Sequence, residues 1–190
     1  PSLAIDNSSS SSYIHSIEAL GANMTQGQIN IINLGKIGSA KNSAVMGYKW
    51  DSDGSDDNLL TFEHWGTGPQ VSLDGAGNFG IGATPTTFHA DLTGVQIGGN
   101  AILQHETAAG ASKTFKIAQN VREEITSGDF TYISTDEASL IELNSGGVNI
   151  KTAPSGTAGA TATMTSRFTV LQDGKTGIGV TGPKEKFEVA

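Results

Sequence analysis

A glycine-rich phrase, GNFGIGATP at residues 77–85, returns in altered form as GKTGIGVTGP at residues 174–183. We call these two segments the glycine phrases. Gly80 and the corresponding Gly177 lie 97 residues apart, so the repeating unit has the size of a small domain rather than of a solenoid repeat. What repeats is turn-forming sequence and not a set of catalytic side chains, which predicts a chain assembled from two modules. A strand-like apolar pair precedes each phrase, Val71 and Leu73 in the first and Phe168 and Val170 in the second.

The composition favours short strands joined by tight turns. The 190 residues include 25 glycines, but only 6% are aromatic and 16% are charged. A hydrophobic content of 36% gives each module a thin core, and small domains with thin cores depend on metals, disulfides or oligomerisation. Because the chain has no cysteine, disulfides are excluded, and oligomerisation is the expected source of stability.

The charge balance excludes two classes of partner. Asp and Glu number 19 against 11 Lys and Arg, for a formal net charge of −8. A protein that binds nucleic acid needs a basic stripe to neutralise phosphates, and no cluster of Lys and Arg is present. The chain also has no apolar run long enough to span a bilayer. We therefore expect neither a nucleic-acid partner nor a membrane span.

Alternating apolar residues recur along the chain and predict an all-β fold. Residues 1–19 contain the serine run Ser8–Ser12 and are predicted to form a linker or arm. Residues 20–92 are the first predicted β module and residues 93–190 the second, each carrying a glycine phrase near its end. A turn is predicted at Asp136–Ser139. Period-two apolar pairs continue through the second module at Val95 and Ile97, Phe115 and Ile117, Phe130 and Tyr132, and Val148 and Ile150.

The clearest predicted element is a β-hairpin with a long acidic tip. Residues 44–50 carry an apolar residue at every second position, and residues 59–65 follow with a similar alternation. The tip between them, residues 51–58, is dense in turn formers. An EF-hand loop needs a glutamate at its twelfth position, where this chain has Phe62, so a solvated tip is favoured and no cofactor is expected. The alternative is a calcium site formed by the carboxylates of Asp51, Asp53 and Asp56.

The same tip is the candidate recognition surface. Trp50 and Trp65 border the predicted hairpin and are expected to be neighbours. Together with Asp57 and Asn58 they would bind a sugar through stacking and hydrogen bonds to hydroxyl groups. The competing interpretation is that both tryptophans pack in a core or an interface.

The glycines of each phrase flank a single isoleucine. This pattern suits a tight turn or a crowded axis where several chains meet, since glycine allows close backbone approach. Residues 75–80 also match the dinucleotide-binding motif G-x-G-x-x-G. That motif must be followed by a helix, whereas Gly82 and Pro85 follow here, so nucleotide binding is not expected. The predicted axis residues are Ile81, Ile178, Gly80, Gly82, Gly177 and Gly179.

The glycine phrases resemble the GNVGIGTTSP-type repeat of bacteriophage tail fibre and tailspike proteins, which often precedes an intramolecular chaperone domain of the endosialidase type. The segments SAVMGYKW and NLLTFEHWG, upstream of the first phrase, are similar to segments of such fibres. The resemblance covers most of residues 20–190, and the second phrase departs from it at Lys175 and Thr176. It implies an elongated homotrimeric virion fibre, outside the cell, built from two tandem modules of β-sandwich or β-prism type and joined to other tail proteins. No catalytic residue is carried over.

Two alternatives to a structural segment stay open. The first is an adhesion module that binds a receptor or a host surface glycan through its loops. The second is a polysaccharide depolymerase. The adjacent carboxylate pairs at 123–124 and 136–137 cannot flank one glycosidic bond from a strand, because adjacent side chains point to opposite faces. We therefore expect no enzymatic activity.

Overall fold

The computed structural model describes residues 20–108, 113–123 and 129–190 and shows an all-β chain, with no helix among those residues. The predicted arm, residues 1–19, lies outside the described residues. The all-β prediction is confirmed. The strands are β1 (Ile29–Gly35), β2 (Ser43–Lys49), β3 (Leu59–His64), β4 (Val71–Asp74), β5 (Phe79–Ile81), β6 (Leu92–Ile97), β7 (Ala101–Glu106), β8 (Phe115–Gln119), β9 (Val121–Glu123), β10 (Phe130–Tyr132), β11 (Asp136–Asn144), β12 (Gly147–Gly156), β13 (Thr161–Ala162), β14 (Thr165–Val170), β15 (Thr176–Ile178) and β16 (Phe187–Val189).

Thirteen strands form one continuous sheet, and β9, β10 and β13 form a second, smaller sheet. Neighbours in the large sheet follow chain order, from β1 to β8 and then β11, β12, β14, β15 and β16. Every neighbouring pair in it is antiparallel except β5 with β6 and β15 with β16, which are parallel. Each parallel pair therefore begins at the strand that lies inside a glycine phrase.

The strand order repeats along the sheet. Counted back from the glycine phrases, β1–β5 correspond to β8, β11, β12, β14 and β15. We call β1–β5 the first region and β6–β15 the second region. The small sheet is an addition to the second region, because β9 and β10 lie between β8 and β11 and β13 lies between β12 and β14. The predicted boundary between residues 92 and 93 lies within β6, and the large sheet continues across it, so the division into two modules stays a prediction.

The two faces of the large sheet are packed differently. We call the face that carries Val45, Thr61, Ser72 and Ile102 the inner face, and these four residues are buried. In the second region the small sheet covers the inner face, and a hydrophobic cluster fills the space between the two sheets. Removal of this apolar surface from water is the main stabilising contribution there. The buried members of the cluster are Phe88, Leu92, Ile102, Ala118, Val121, Tyr132, Ala138, Leu140, Ala153 and Ala162.

An ion pair lies at the edge of this core. The Lys116 ammonium, on β8, is 2.6 Å from a carboxylate oxygen of Glu123, on β9, and Lys116 is almost completely buried. The Gln104 amide on β7 donates a second hydrogen bond, of 3.1 Å, to the same carboxylate oxygen. A buried charge is tolerated only when it is paired and hydrogen-bonded, so these contacts join the small sheet to the large one.

The predicted turn at Asp136–Ser139 is wrong, because these residues begin strand β11. The buried Asn120 side chain donates to the backbone oxygen of Glu137 at 2.9 Å and to that of Ser134 at 3.1 Å. Ser139 pairs with Gln119 in the large sheet. Long-range contacts of this kind outweigh the local turn preference of the polar residues.

The predicted hairpin is confirmed. Strands β2 and β3 are antiparallel, with Ala44 opposite His64 at one end and Lys49 opposite Leu59 at the other. The tip between the two strands spans residues 50–58.

Candidate functional site

The central glycine of each phrase is required by packing within the chain. A side chain at Gly80 would collide with the backbone oxygen of Ala83, and one at Gly177 would collide with that of Val180. In both phrases the chain folds back over the inner face directly after the strand. The spacing of the glycines is therefore explained by intrachain contact, without any need for a neighbouring molecule.

The last glycine of each phrase turns the chain out of its strand. Gly82 has a φ of 66° and Gly179 a φ of 71°, in the left-handed region that favours glycine. The Gly82 N–H donates to the backbone oxygen of Gln70 at 2.8 Å, and the Gly179 N–H donates to that of Arg167 at 2.9 Å. The two turns are thus built with equivalent contacts.

After each turn the chain crosses over and returns parallel to the strand it has just left. The Gly98 N–H donates to the Ile81 backbone oxygen at 2.8 Å, and the Ala190 N–H donates to that of Ile178 at 3.0 Å. The crossover is longer in the first copy, where it carries the buried Phe88. Each glycine phrase is therefore the junction at which one series of antiparallel strands ends and the next begins.

Ile81 and Ile178 lie on the face of the sheet opposite to the inner face, since successive side chains of a strand alternate. They are 42% and 44% exposed in the single chain. The structure does not bring the isoleucines and Gly80 or Gly177 to the same face. The position of all these residues relative to a symmetry axis stays a prediction.

The outer face, as we call the face opposite to the inner one, carries an uninterrupted row of apolar side chains. The row contains one residue from each of the twelve strands from β2 to β16 in the large sheet. Each of these residues is paired in the sheet register with the residue of the row on the next strand, and none of the twelve is buried. We call this set the apolar row: Tyr48, Leu60, Leu73, Phe79, Val95, Leu103, Ile117, Ile141, Ile150, Phe168, Ile178 and Val189.

The exposed area of the outer face is large for a single chain. Eleven apolar residues of this face are 37–46% exposed: Met46, Tyr48, Leu60, Phe62, Leu73, Ile81, Ile97, Ile117, Ile141, Leu143 and Ile178. With roughly 180 Å² for each large apolar side chain, they expose on the order of 800 Å² together. The largest apolar patch on a monomeric protein is about 300–600 Å², whereas a stable interface takes about 800 Å² from each partner. The outer face has the dimensions of an interface.

The sequence shows the alternation of these residues but not which face of the sheet is covered. Several inner-face positions of the first region are small or polar, as at Gly47, Thr61, Ser72 and Gly80. That pairing of a small, polar face with a large, apolar face is the signal from which the exposed apolar row could have been predicted.

The acidic tip of the hairpin is held by hydrogen bonds within the chain. The Asp51 carboxylate accepts from the side chains of Gln26, Ser55 and Ser52 at 2.8, 3.1 and 3.2 Å. These bonds, with that of Gln26 the most important, lower the pKa of Asp51. The Asn58 amide oxygen accepts from the Asp51 N–H at 2.7 Å, and its NH₂ group donates to Ser52. The predicted recognition residue Asn58 therefore closes the loop.

The candidate calcium ligands are dispersed. No group of three or more His, Asp or Glu side chains that could hold a metal ion occurs within the described part of the chain. Asp51 and Asp56 instead line a cavity of about 490 Å³, together with Asp57, Asp74 and Phe88. Asp53 lines a different cavity. The structure brings acidic groups together at this end of the sheet without assembling a metal centre in the single chain.

The two tryptophans of the candidate recognition surface are not neighbours, which corrects the prediction. Trp65 donates its backbone N–H to Ser43, at the start of β2, whereas Trp50 follows the end of β2 and donates to Gln28. The antiparallel register thus places Trp50 and Trp65 at opposite ends of the hairpin, roughly 20 Å apart at about 3.3 Å per residue. They cannot stack on one sugar ring. Trp50 lines the same cavity as Asp53 and Tyr48.

A scan of the chain against protein-family models found no match, and a search of the curated proteins found none either. None of the described residues belongs to a helix that is long and apolar enough to cross a membrane.

Proposed function

We propose that this chain is a structural segment of a homotrimeric bacteriophage fibre or spike, and that its copies associate through their outer faces. The observation that carries the proposal is the apolar row, which crosses twelve strands and has none of its members buried by the described residues of the chain. In the second region the inner face is already packed by the small sheet, and after each glycine phrase the crossover lies over that face. Association would therefore bury the large apolar surface of the outer face that the described residues leave open.

The direction of the apolar row favours a fibre over a compact oligomer. Thirteen strands at a spacing of about 4.8 Å extend the sheet by roughly 60 Å across the strands. The row follows that direction, so copies packed along it touch over the whole length of the segment. Three sheets arranged with their outer faces towards a common axis form a β-prism, and closed symmetry leaves no apolar face free for open-ended aggregation.

The trimeric number and the place in the virion rest on the resemblance of the glycine phrases to phage fibre repeats. In such an assembly Ile178, in the apolar row, and Ile81, beside it, lie at the interface between copies. Other tail proteins would attach to the ends of the fibre. The sequence of the DNA that flanks the gene tests this part directly, since neighbouring genes for tail or fibre proteins are expected.

The first experiment compares two substitutions on the same face of β11. Ile141→Asp places a carboxylate in the apolar row, whereas Ser139→Asp places one two residues away, outside the row. Light scattering of the parent chain at micromolar concentration is expected to give three times the chain mass of 19.6 kDa. Ile141→Asp is expected to abolish the trimer, because a carboxylate buried without a partner costs several kcal/mol. Ser139→Asp is expected to leave it intact.

Two results would contradict the proposal. A parent chain that is folded and monomeric at micromolar concentration excludes assembly through the outer face. An Ile141→Asp variant that remains trimeric with unchanged melting shows that the copies associate elsewhere. Electron micrographs of the parent trimer should show a rod rather than a globular particle.

A second candidate function is glycan binding at the acidic tip, favoured by the 490 Å³ cavity. The cavity lies between the tip and the first crossover and combines carboxylates with the apolar side chains of Pro85 and Ala90, which is a mixture that suits sugar hydroxyls and an apolar sugar face. Replacing residues 51–58 by Asn-Gly makes a short hairpin turn. If this variant remains trimeric but no longer attaches to host cells, the tip binds a host glycan. If its attachment is unchanged, the segment acts as the shaft of the fibre. The depolymerase hypothesis stays an untested prediction.

A further inference from the structure

The last strand, β16, is built like β6, but the described residues give it no neighbour equivalent to the one that β6 has. In the pairing register Ile81 lies opposite Ile97 and Ile178 lies opposite Val189, so Val189 corresponds to Ile97. Ala190 corresponds to Gly98, because the Ala190 N–H donates to the backbone oxygen of Ile178 just as the Gly98 N–H donates to that of Ile81. Beyond β6 the sheet continues with β7, whereas β16 ends the sheet.

The edge of β16 that faces away from β15, which we call its free edge, carries backbone groups that pair with none of the described residues. Lys186 accepts from Thr176 of β15, and Ala190 donates to Ile178, so the backbone groups of Glu188 between them also face β15. Because these directions alternate along a strand, the N–H and C=O groups of Phe187 and Val189 point away from β15. Unpaired groups of this kind are a template for a further strand.

Exposure along β16 agrees with a missing neighbour. Val189 is 58% exposed, whereas its counterpart Ile97, which has β7 beside it, is 45% exposed. Phe187 is 61% exposed, while its counterpart Val95 is only partly exposed. Both side chains continue the outer face of the sheet.

We propose that the edge of β16 is a docking site for a strand of the β7 kind, supplied by a further module of the same design. The strand pairs antiparallel to β16, as Ala101–Glu106 pairs with β6. Pairing β16 with β1 of a second copy does not fit as well. Among the described residues β1 is the other edge strand of the sheet, and it corresponds to β8 and not to β7, so this pairing would skip one strand of the repeat. The proposal concerns pairing within one sheet and does not depend on the trimer.

The test extends the full chain by a second copy of residues 99–190, joined directly to Ala190. The added strands then follow β16 as β7 follows β6. Hydrogen exchange is measured at the amides of Phe187 and Val189, which are expected to exchange at least about a hundredfold more slowly in the extended chain than in the parent chain. The Ala190 amide, already bonded to Ile178, is the internal control and should change little.

A proline substitution separates docking from simple fusion. Val189→Pro removes an N–H that faces the free edge, and it should lower the melting temperature of the parent chain less than Glu188→Pro does while preventing the added module from docking. Glu188→Pro removes an N–H that faces β15 and should destabilise both chains. Small-angle scattering of the extended chain should show a rigid particle longer by roughly 34 Å for seven strands, and a flexible pair of bodies once Val189 is replaced.

Three outcomes overturn the proposal. The first is strong protection of the Phe187 and Val189 amides in the parent chain, which means that something else already occupies the edge. The second is an extended chain in which these amides still exchange rapidly. The third is an extended chain that fails to fold, because a matching strand at a free edge is expected to add stability.

Discussion

The first and second regions follow the same order of strands in one sheet but are stabilised differently. In the second region the strands of the small sheet are inserted into two connections of the large sheet. The two corresponding connections of the first region are short loops, residues 36–42 and 65–70. Its buried apolar residues are Val45 and Leu59 alone among the described residues 20–81. The second region places β9, β10 and β13 in the same two connections and forms a hydrophobic cluster with them.

This difference shows that the shared order of strands can form without a second sheet packed against the first. What both regions share is the glycine phrase with its turn and crossover. The second region obtains its apolar burial inside the chain, whereas the first region has little to bury except its outer face. We therefore expect the first region to depend more strongly on association between copies.

The largest expected effect comes from deleting a leucine side chain in each region. Leu140→Ala opens a cavity between the two sheets and should lower the free energy of unfolding by about 3–4 kcal/mol. Leu59→Ala, equally buried, should cost about 2 kcal/mol, because the loops around it can relax into the space. Denaturant titrations of both variants give the two values. A cost for Leu59→Ala equal to that for Leu140→Ala would remove the contrast between the regions.

A smaller effect, equal in both regions, is expected at the glycine phrases. Gly80→Ala and Gly177→Ala each force a methyl group against a backbone oxygen and should cost about 2 kcal/mol. Gly99→Ala and Gly182→Ala are the matched controls, since a methyl group there meets nothing within 4 Å. Thermal melting measures all four. Tolerance of the change at Gly80 but not at Gly177 would show that the first junction is not held as firmly as the second.

The smallest expected effect is the pH dependence of two surface turns, one in each region. Hydrogen bonds from Gln26 and Ser55 lower the pKa of Asp51, and the bond from Lys175 is the main cause of the lowered pKa of Asp173. A lowered folded pKa stabilises the protein above the unfolded value of about 3.9 and loses that contribution as the pH falls through the folded value.

The measurement compares melting temperatures at pH 7 and pH 3 for Asp51→Asn and Asp173→Asn. Each variant should lose less stability on acidification than the parent chain does. The difference in melting temperature between variant and parent chain should be small for both substitutions, because exposed charges contribute little to stability. An unchanged pH dependence in Asp51→Asn would show that the acidic tip is not held by its carboxylate.

The sequence predicts individual strands and turns better than it predicts how these elements pack and which side chains they expose. The alternation at residues 44–50 and the turn formers at 51–58 were sufficient for the hairpin, because both signals are local. The separation of Trp50 from Trp65 was missed although it follows from the same register. The period of two by itself does not assign the exposed outer face, since it gives two faces and does not say which is covered; the additional signal is the set of small and polar residues on the inner face, such as Gly47, Thr61 and Ser72. The start of β11 was missed because Asn120, far away in sequence, holds Glu137 in place.

The parallel pair at each junction also decides which way the strands run. Strands β2 and β11 are seven places apart in the sheet, and in a purely antiparallel series an odd number of steps reverses direction. The single parallel step between them, from β5 to β6, cancels that reversal, so equivalent strands of the two regions point the same way. The acidic tip between β2 and β3 and the turn between β11 and β12 consequently emerge from the same long edge of the sheet. The molecule has a polarity: one flank carries the equivalent hairpin tips in a line, however many such units follow one another.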